Sequence, residues 1–339
     1  MSRSPTPDVT VITTGGTIAS RVDPRTGAAI PVVSGPELVS LVPGLDRIAT
    51  IDVRELSLVP SWEFTLPYMH EIGTVVRSAF ANGANGVVVT QGTDTLEETA
   101  FWLDLTLDLP ALGGPVVITG AMRNNSEIGA DGPRNITDAV TVASEGSRGF
   151  AAPVVVANSQ VQAARFVTKT DSFNPAAFQS PGHGPVGAVY GNVVAHFADL
   201  QPLDPLPVSD PSKQVPLIKW SAGMDDLFLR ACLKAKVDGV VIEGMGLGHI
   251  PGDCVATVAA LRARGTPVVV TTRCLSGPVL PVYGGPGGGR DLAEMGCLFP
   301  VGLSGTKSRL LLSAALGSGL AEGSLQALFS VRCPLVWST

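Results

Sequence analysis

At 339 residues the chain is long enough for two domains, and a net charge of −6 argues against nucleic acid or an anionic membrane as the main partner. Apolar residues make up 45% and charged residues 15%, which allows large cores and excludes a disordered chain. No apolar run approaches the ~20 residues of a membrane span, and the opening Met1–Asp8 stretch is polar and proline-kinked rather than a secretory signal, so a cytoplasmic location is expected.

In chain order, the first strand is expected at Val9–Thr13, followed at once by Thr14-Gly15-Gly16-Thr17. Ser34-Gly35-Pro36-Glu37 combines capping-box spacing with a first-turn proline and predicts a helix. A second strand, Gly86–Thr90, runs into Gln91-Gly92-Thr93-Asp94. The capping spacing recurs at Thr95-Leu96-Glu97-Glu98, ahead of the apolar positions from Ala100 to Leu107. Pro115–Thr119 and Pro153–Ala157 are further strands, separated by a helix that Asp131-Gly132-Pro133 opens with an acidic cap. Five prolines between Gln201 and Pro216 forbid helix interior and central strand, so residues 201–216 are expected to be a linker. Strands at Gly239–Glu243 and Pro267–Thr272 follow. This alternation predicts an α/β protein: a larger N-terminal domain (1–200) with a mainly parallel sheet flanked by helices, and a smaller C-terminal α/β domain (217–339).

The chemistry-bearing residues cluster at strand ends, where open α/β sheets bind ligands. Thr17 follows two glycines that bring bare backbone N–H groups close to a ligand, although an ordinary βα turn reads the same way. A phosphate loop would need a lysine that this motif lacks. Thr93 and Asp94 lie at a second strand end, where Asp94 is also a simple helix cap. Lys169, in Val167-Thr168-Lys169-Thr170, adds an amine to two hydroxyls and a carboxylate, a set suited to attacking a carbonyl. Gly244-Met245-Gly246-Leu247-Gly248-His249 lacks the full dinucleotide spacing, so the C-terminal domain is read as Rossmann-like without a dinucleotide. Cys232, Cys254, Cys274, Cys297 and Cys333 show no C-x-x-C pairing and read as reduced structural thiols. The four histidines (His70, His183, His196, His249) have no ligand spacing, so neither zinc nor an organic cofactor is expected.

Together these motifs resemble the bacterial L-asparaginase family of threonine amidohydrolases. The likeness rests on T-G-G-T-I-A at Thr14–Ala19, Q-G-T-D-T-x-E-E-T at Gln91–Thr99, G-A-M-R at Gly120–Arg123, A-D-G-P-x-N at Ala130–Asn135 and V-T-K-T at Val167–Thr170. The resemblance implies hydrolysis of the side-chain amide of L-asparagine, or of a related small amide such as glutamine, in a homotetramer whose sites lie between paired subunits. It implies Thr17 as primary nucleophile, with Thr93, Asp94 and Lys169 as a second triad. It further implies that Gly16 contributes an oxyanion N–H, that Ser57 holds the substrate carboxylate, and that the Ala121 carbonyl meets the amide nitrogen. His249 stands where relatives carry an asparagine that meets the substrate amine.

The chain departs from the pattern in one respect that matters. Relatives activate the nucleophile with a tyrosine on the loop after it, and the loop Ser20–Ile30 contains none. A neighbouring subunit's Tyr283 is the expected substitute, and an interface tyrosine that merely packs is the alternative. The loop is expected to act as a lid with Gly27 as hinge. Two further readings stay open: an amidotransferase component serving tRNA, which would want an additional N-terminal module and a basic surface, and an amino-acid sensor without turnover.

Overall fold

The computed structural model describes residues 6–300 and 302–331 and separates into two units, Met1–Pro205 and Leu206–Thr339. The opening Met1–Pro5 segment and Cys333 lie outside the described residues. The first unit runs β1 (Asp8–Thr13), a hairpin of β2 (Ser20–Val22) and β3 (Ala29–Pro31), α1 (Gly35–Ser40), β4 (Thr50–Glu55), α2 (Leu66–Ala81), β5 (Gly86–Thr90), α3 (Leu96–Thr106), α4 (Leu109–Leu112), β6 (Val116–Thr119) and α5 (Gly132–Ala143). It continues through β7 (Val154–Ala157), β8 (Gln160–Ala163), the short pair β9 (Thr168–Lys169) and β10 (Phe178–Gln179), then β11 (Gly187–Tyr190) and β12 (Val193–His196).

Eight of these strands form one sheet in the order β12-β11-β8-β7-β6-β5-β1-β4, parallel from β7 to β4 and antiparallel at the other end. Both faces of its central strands are covered, which explains their continuous apolar runs. Val9, Val11, Val88, Val117 and Val154 point into one core with Ile136, Ala139 and Val140 of α5. The alternate residues Ile12, Val87, Val89, Ile118 and Val155 point into the other, against Ile72 and Val76 of α2 and Leu96, Ala100 and Leu103 of α3. The side-chain period of two along each strand produces this division.

The strand order places the crevice. From β1 the chain crosses to β4 on one side, whereas from β5 it crosses to β6 on the other. The loops leaving the carboxyl ends of β1 and β5 therefore diverge, which opens a switch-point crevice between them. Thr13 pairs with Thr90, and Thr90 with Thr119, so the loops after β1, β5 and β6 start level with one another.

The second unit has a three-stranded parallel sheet, β13 (Leu217–Lys219), β14 (Val240–Gly244) and β15 (Val268–Thr272), in the order 13-14-15. Helices α6 (Leu227–Ala235), α7 (Val255–Ala263), α8 (Gly289–Glu294), α9 (Gly305–Gly317) and α10 (Glu322–Val331) complete it. The stretch 201–216 holds neither helix nor strand. From Leu206 onward it is bonded into this unit: Ser209 and Asp210 donate their N–H groups to the Gly317 carbonyl, and Arg309 donates to that of Val215. Among the described residues no helix is long and apolar enough to cross a membrane.

Candidate active site

Two glycines bring the threonine loops together. Gly16 has φ 81° and ψ −171°, a region essentially restricted to glycine. A Cβ there would lie 2.2 Å from the Cα and N of Gly92, so the two backbones touch. Thr17 opens the short 3-10 turn that follows, half-buried, and the Ser20 hydroxyl closes the loop by donating to the Gly16 carbonyl at 2.8 Å. Gly120 brings in the third loop: a Cβ there would meet the Thr93 methyl at 3.1 Å and the Gln91 carbonyl at 2.7 Å. Ala121, next in the chain, is buried.

Thr93 and Asp94 lie immediately before α3, at the positive end of its dipole. Lys169 reaches them from β9, with Nζ 2.8 Å from Thr93 Oγ1 and 3.4 Å from an Asp94 carboxylate oxygen. A cleft of about 330 Å³ opens on this group, lined by Asp94, Glu97, Lys169, Thr170, Asp171 and Ser172. An amine against a buried threonine hydroxyl, with a carboxylate beside it, can carry a proton to or from that hydroxyl or from a water held there.

The structure places a serine in this cluster that the sequence reading passed over. Ser61, buried on the 3-10 turn Ser61–Glu63, accepts the Asp94 N–H at 3.1 Å and lies 3.4 Å from the other carboxylate oxygen. Its own carbonyl takes the Thr95 hydroxyl at 2.9 Å, so Thr95, expected to cap α3, ties this turn down instead. Ser57 is not on Asp94. Its hydroxyl donates to the Thr14 carbonyl at 3.1 Å and sits 2.5 Å from the phenol of Tyr68. The single Ser57 hydrogen goes to Thr14, so Tyr68 donates to Ser57; burial raises the pKa of that phenol. Pro60 precedes this turn, but nothing local in the sequence ties Ser61 to Asp94, 33 residues away.

Asp131 also differs from its expected use. Its side chain makes no cap on α5; it accepts the N–H groups of Met122 and Arg123 and the amide of Asn135, which fixes the chain just after Ala121. The loop expected to act as a lid forms a hairpin, with Gly27 in its turn at φ 70° rather than at its base.

His249 and Tyr283 belong to the second unit, where their rings meet edge to face at 5.2 Å, with Tyr283 60% exposed. The glycine-rich turn is closed on itself by the Met245–His249 backbone pair, and no α-helix starts until Val255. That geometry presents no helix N-terminus to a pyrophosphate.

A profile described as "Asparaginase, N-terminal" matches residues 8–201, and one for the glutaminase/asparaginase C-terminal domain matches 214–329. The chain belongs to the asparaginase family. The L-asparaginase of Bacillus licheniformis is 34% identical over 91% of this chain and 95% of its own. The probable L-asparaginase of Deinococcus radiodurans is 36% identical over 96% and 97%. A glutamyl-tRNA(Gln) amidotransferase component of Halobacterium salinarum is 32% identical, over 86% of this chain but 70% of its own. In the first unit, Gly16 against Gly92, Gly120 against Thr93, Ser61 on Asp94 and Lys169 on Thr93 bring the loops together, while Thr17 lies outside the cleft beside Lys169.

Proposed function

We propose that this protein hydrolyses the side-chain amide of L-asparagine to L-aspartate and ammonia. The observation that carries the reading is Lys169 Nζ at 2.8 Å from Thr93 Oγ1, at a switch point whose other lip carries Thr17. Thr17 attacks the amide carbon, its hydroxyl proton passes to the amide nitrogen, and the C–N bond breaks to release ammonia and leave an ester. Water then cleaves the ester, so one difficult step is split into two easier ones. The N–H groups of Gly16 and Thr93 hold the developing oxyanion, a contribution of roughly 3 kcal/mol per donor in known enzymes. The Ala121 carbonyl accepts from the amide nitrogen. Lys169, steadied by Asp94, moves the proton for Thr93 or for the water that cleaves the ester. Asp94 holds the α-ammonium, and Ser61, with its hydroxyl on Asp94, is better placed than Ser57 to hold the α-carboxylate beside it.

In this reading the enzyme is a cytoplasmic homotetramer in which a neighbouring subunit supplies His249 to the substrate amine and Tyr283 as the phenol missing from the hairpin. The exposure of Tyr283 and its contact with His249 support that role. The reaction calls for no metal or organic cofactor. The test is ammonia release from L-asparagine, L-glutamine and D-asparagine by the wild type and Thr17→Ala. Release from L-asparagine that vanishes in Thr17→Ala supports the proposal; binding of asparagine without release by the folded wild type refutes it in favour of a sensor. Full turnover in Tyr283→Phe removes the tyrosine from the mechanism.

A further inference from the structure

Lys169 hangs on a two-residue strand, β9, whose partner β10 is equally short. Such a pair is too small to fix a long side chain on its own. Helix α3 supplies the missing support. Near its start, the Glu97 carboxylate accepts the Lys169 backbone N–H at 3.2 Å, across 72 residues of sequence. Near its end, Asp104 makes two hydrogen bonds to the Arg165 guanidinium at 2.9 and 3.0 Å, both side chains buried. Between them, Val167 is fully buried in the same core as Leu96, Ala100 and Leu103 of the helix. The Arg165 contact lies near the end of the helix and the Lys169 contact near its start, seven helical residues or about 10 Å away. The segment therefore runs antiparallel to the helix and delivers Lys169 to the end that carries Thr93 and Asp94.

We propose that α3 sets the reach of Lys169, with Glu97 as the positioning residue that fixes the lysine backbone while its amine meets Thr93. Glu97 acts through Lys169; its part is to accept one N–H. The inference rests on the catalytic role proposed above for the Lys169–Thr93 pair. An ångström of displacement at a reacting group costs on the order of a hundredfold in rate.

The experiment compares wild type, Glu97→Gln, Glu97→Asp and Glu97→Ala with L-asparagine, reading kcat and KM separately, alongside hydrogen–deuterium exchange of the peptide spanning Lys169. Glu97→Gln keeps an acceptor oxygen, and its kcat is expected within about threefold of wild type. Glu97→Ala is expected to lose roughly ten- to hundredfold in kcat with KM nearly unchanged, and to exchange faster at Lys169. Glu97→Asp shortens the reach by one methylene and is expected to fall between them, which keeps the test sound if the alanine variant folds poorly. Wild-type kcat in Glu97→Asp and Glu97→Ala overturns the proposal. So does a Gln variant as impaired as the Ala variant, since charge and not acceptance would then matter, or a loss confined to KM. A wild type that releases no ammonia sinks the functional reading instead, while the exchange data still report on the Glu97 bond.

Discussion

Gly16→Ala tests how the two threonine loops meet. The added methyl would stand 2.2 Å from the Gly92 backbone, so the loops would have to part by about 1.2 Å to reach ordinary contact at 3.4 Å. It would also force alanine into φ 81°, ψ −171°, which costs on the order of 1–3 kcal/mol. Thr17 follows Gly16 directly and Thr93 follows Gly92, so the separation passes straight to both hydroxyls. A displacement of this size predicts about a hundredfold loss of kcat, with a melting temperature lower by a few degrees. Gly44→Ala is the control: Gly44 also has positive φ (84°), but nothing lies within 4 Å of its Cβ position. It should lose stability and keep kcat. The assay is steady-state ammonia release from L-asparagine paired with a thermal melt of each variant. Wild-type kcat in Gly16→Ala, or equal losses of kcat in the two variants, would refute the contact argument.

Ser61→Ala is expected to raise KM for L-asparagine at least tenfold, as loss of a hydrogen bond to a charged group should, whereas Ser57→Ala stays within threefold; the reverse order would restore Ser57 as the carboxylate anchor. Lys169→Ala and Thr93→Val should each lower kcat by roughly 10²–10⁴-fold, and the double variant should be no worse than the poorer single. Multiplying losses would mean that the two residues act separately. Among the described cysteines, iodoacetamide at pH 8 should label exposed Cys274 first. Burial raises the thiol pKa of Cys232, Cys254 and Cys297, the last to about 12, so these three should react only on unfolding. Native-state labelling of Cys297, read by peptide mass spectrometry, would contradict its burial.

The central strands were legible because they are buried on both faces. Val87, Val88 and Val89 of β5 all carry apolar side chains, so the run declares itself without alternation. Strand β4 was not legible: it lies at the sheet edge, and Asp52, Arg54 and Glu55 suit an edge that must avoid further pairing. Strands β8 to β12 are two to four residues long, and the β7–β8 turn places Asn158 and Ser159 both at positive φ, where serine gives little warning. Thr93, Asp94 and Lys169 stood out because each sits in a motif of its own. Ser61 did not, because its contact with Asp94 spans 33 residues and depends on a turn that no local pattern encodes. Thr95 and Asp131 satisfied capping patterns, yet tertiary partners claimed both side chains.

The hairpin after Thr17 is stitched to the chain that follows Ala121. Ser126 accepts the Val22 N–H, the Asn125 N–H donates to the Ser20 carbonyl, and the Asn125 side chain donates to that of Ile18. Lifting the hairpin must therefore either carry residues 125 and 126 along or part the two hydrogen bonds at Ser20 and Val22. Under the proposed mechanism, the wall that carries Thr17 and the wall that carries Ala121 move together, and a substitution at Asn125 would be felt at both.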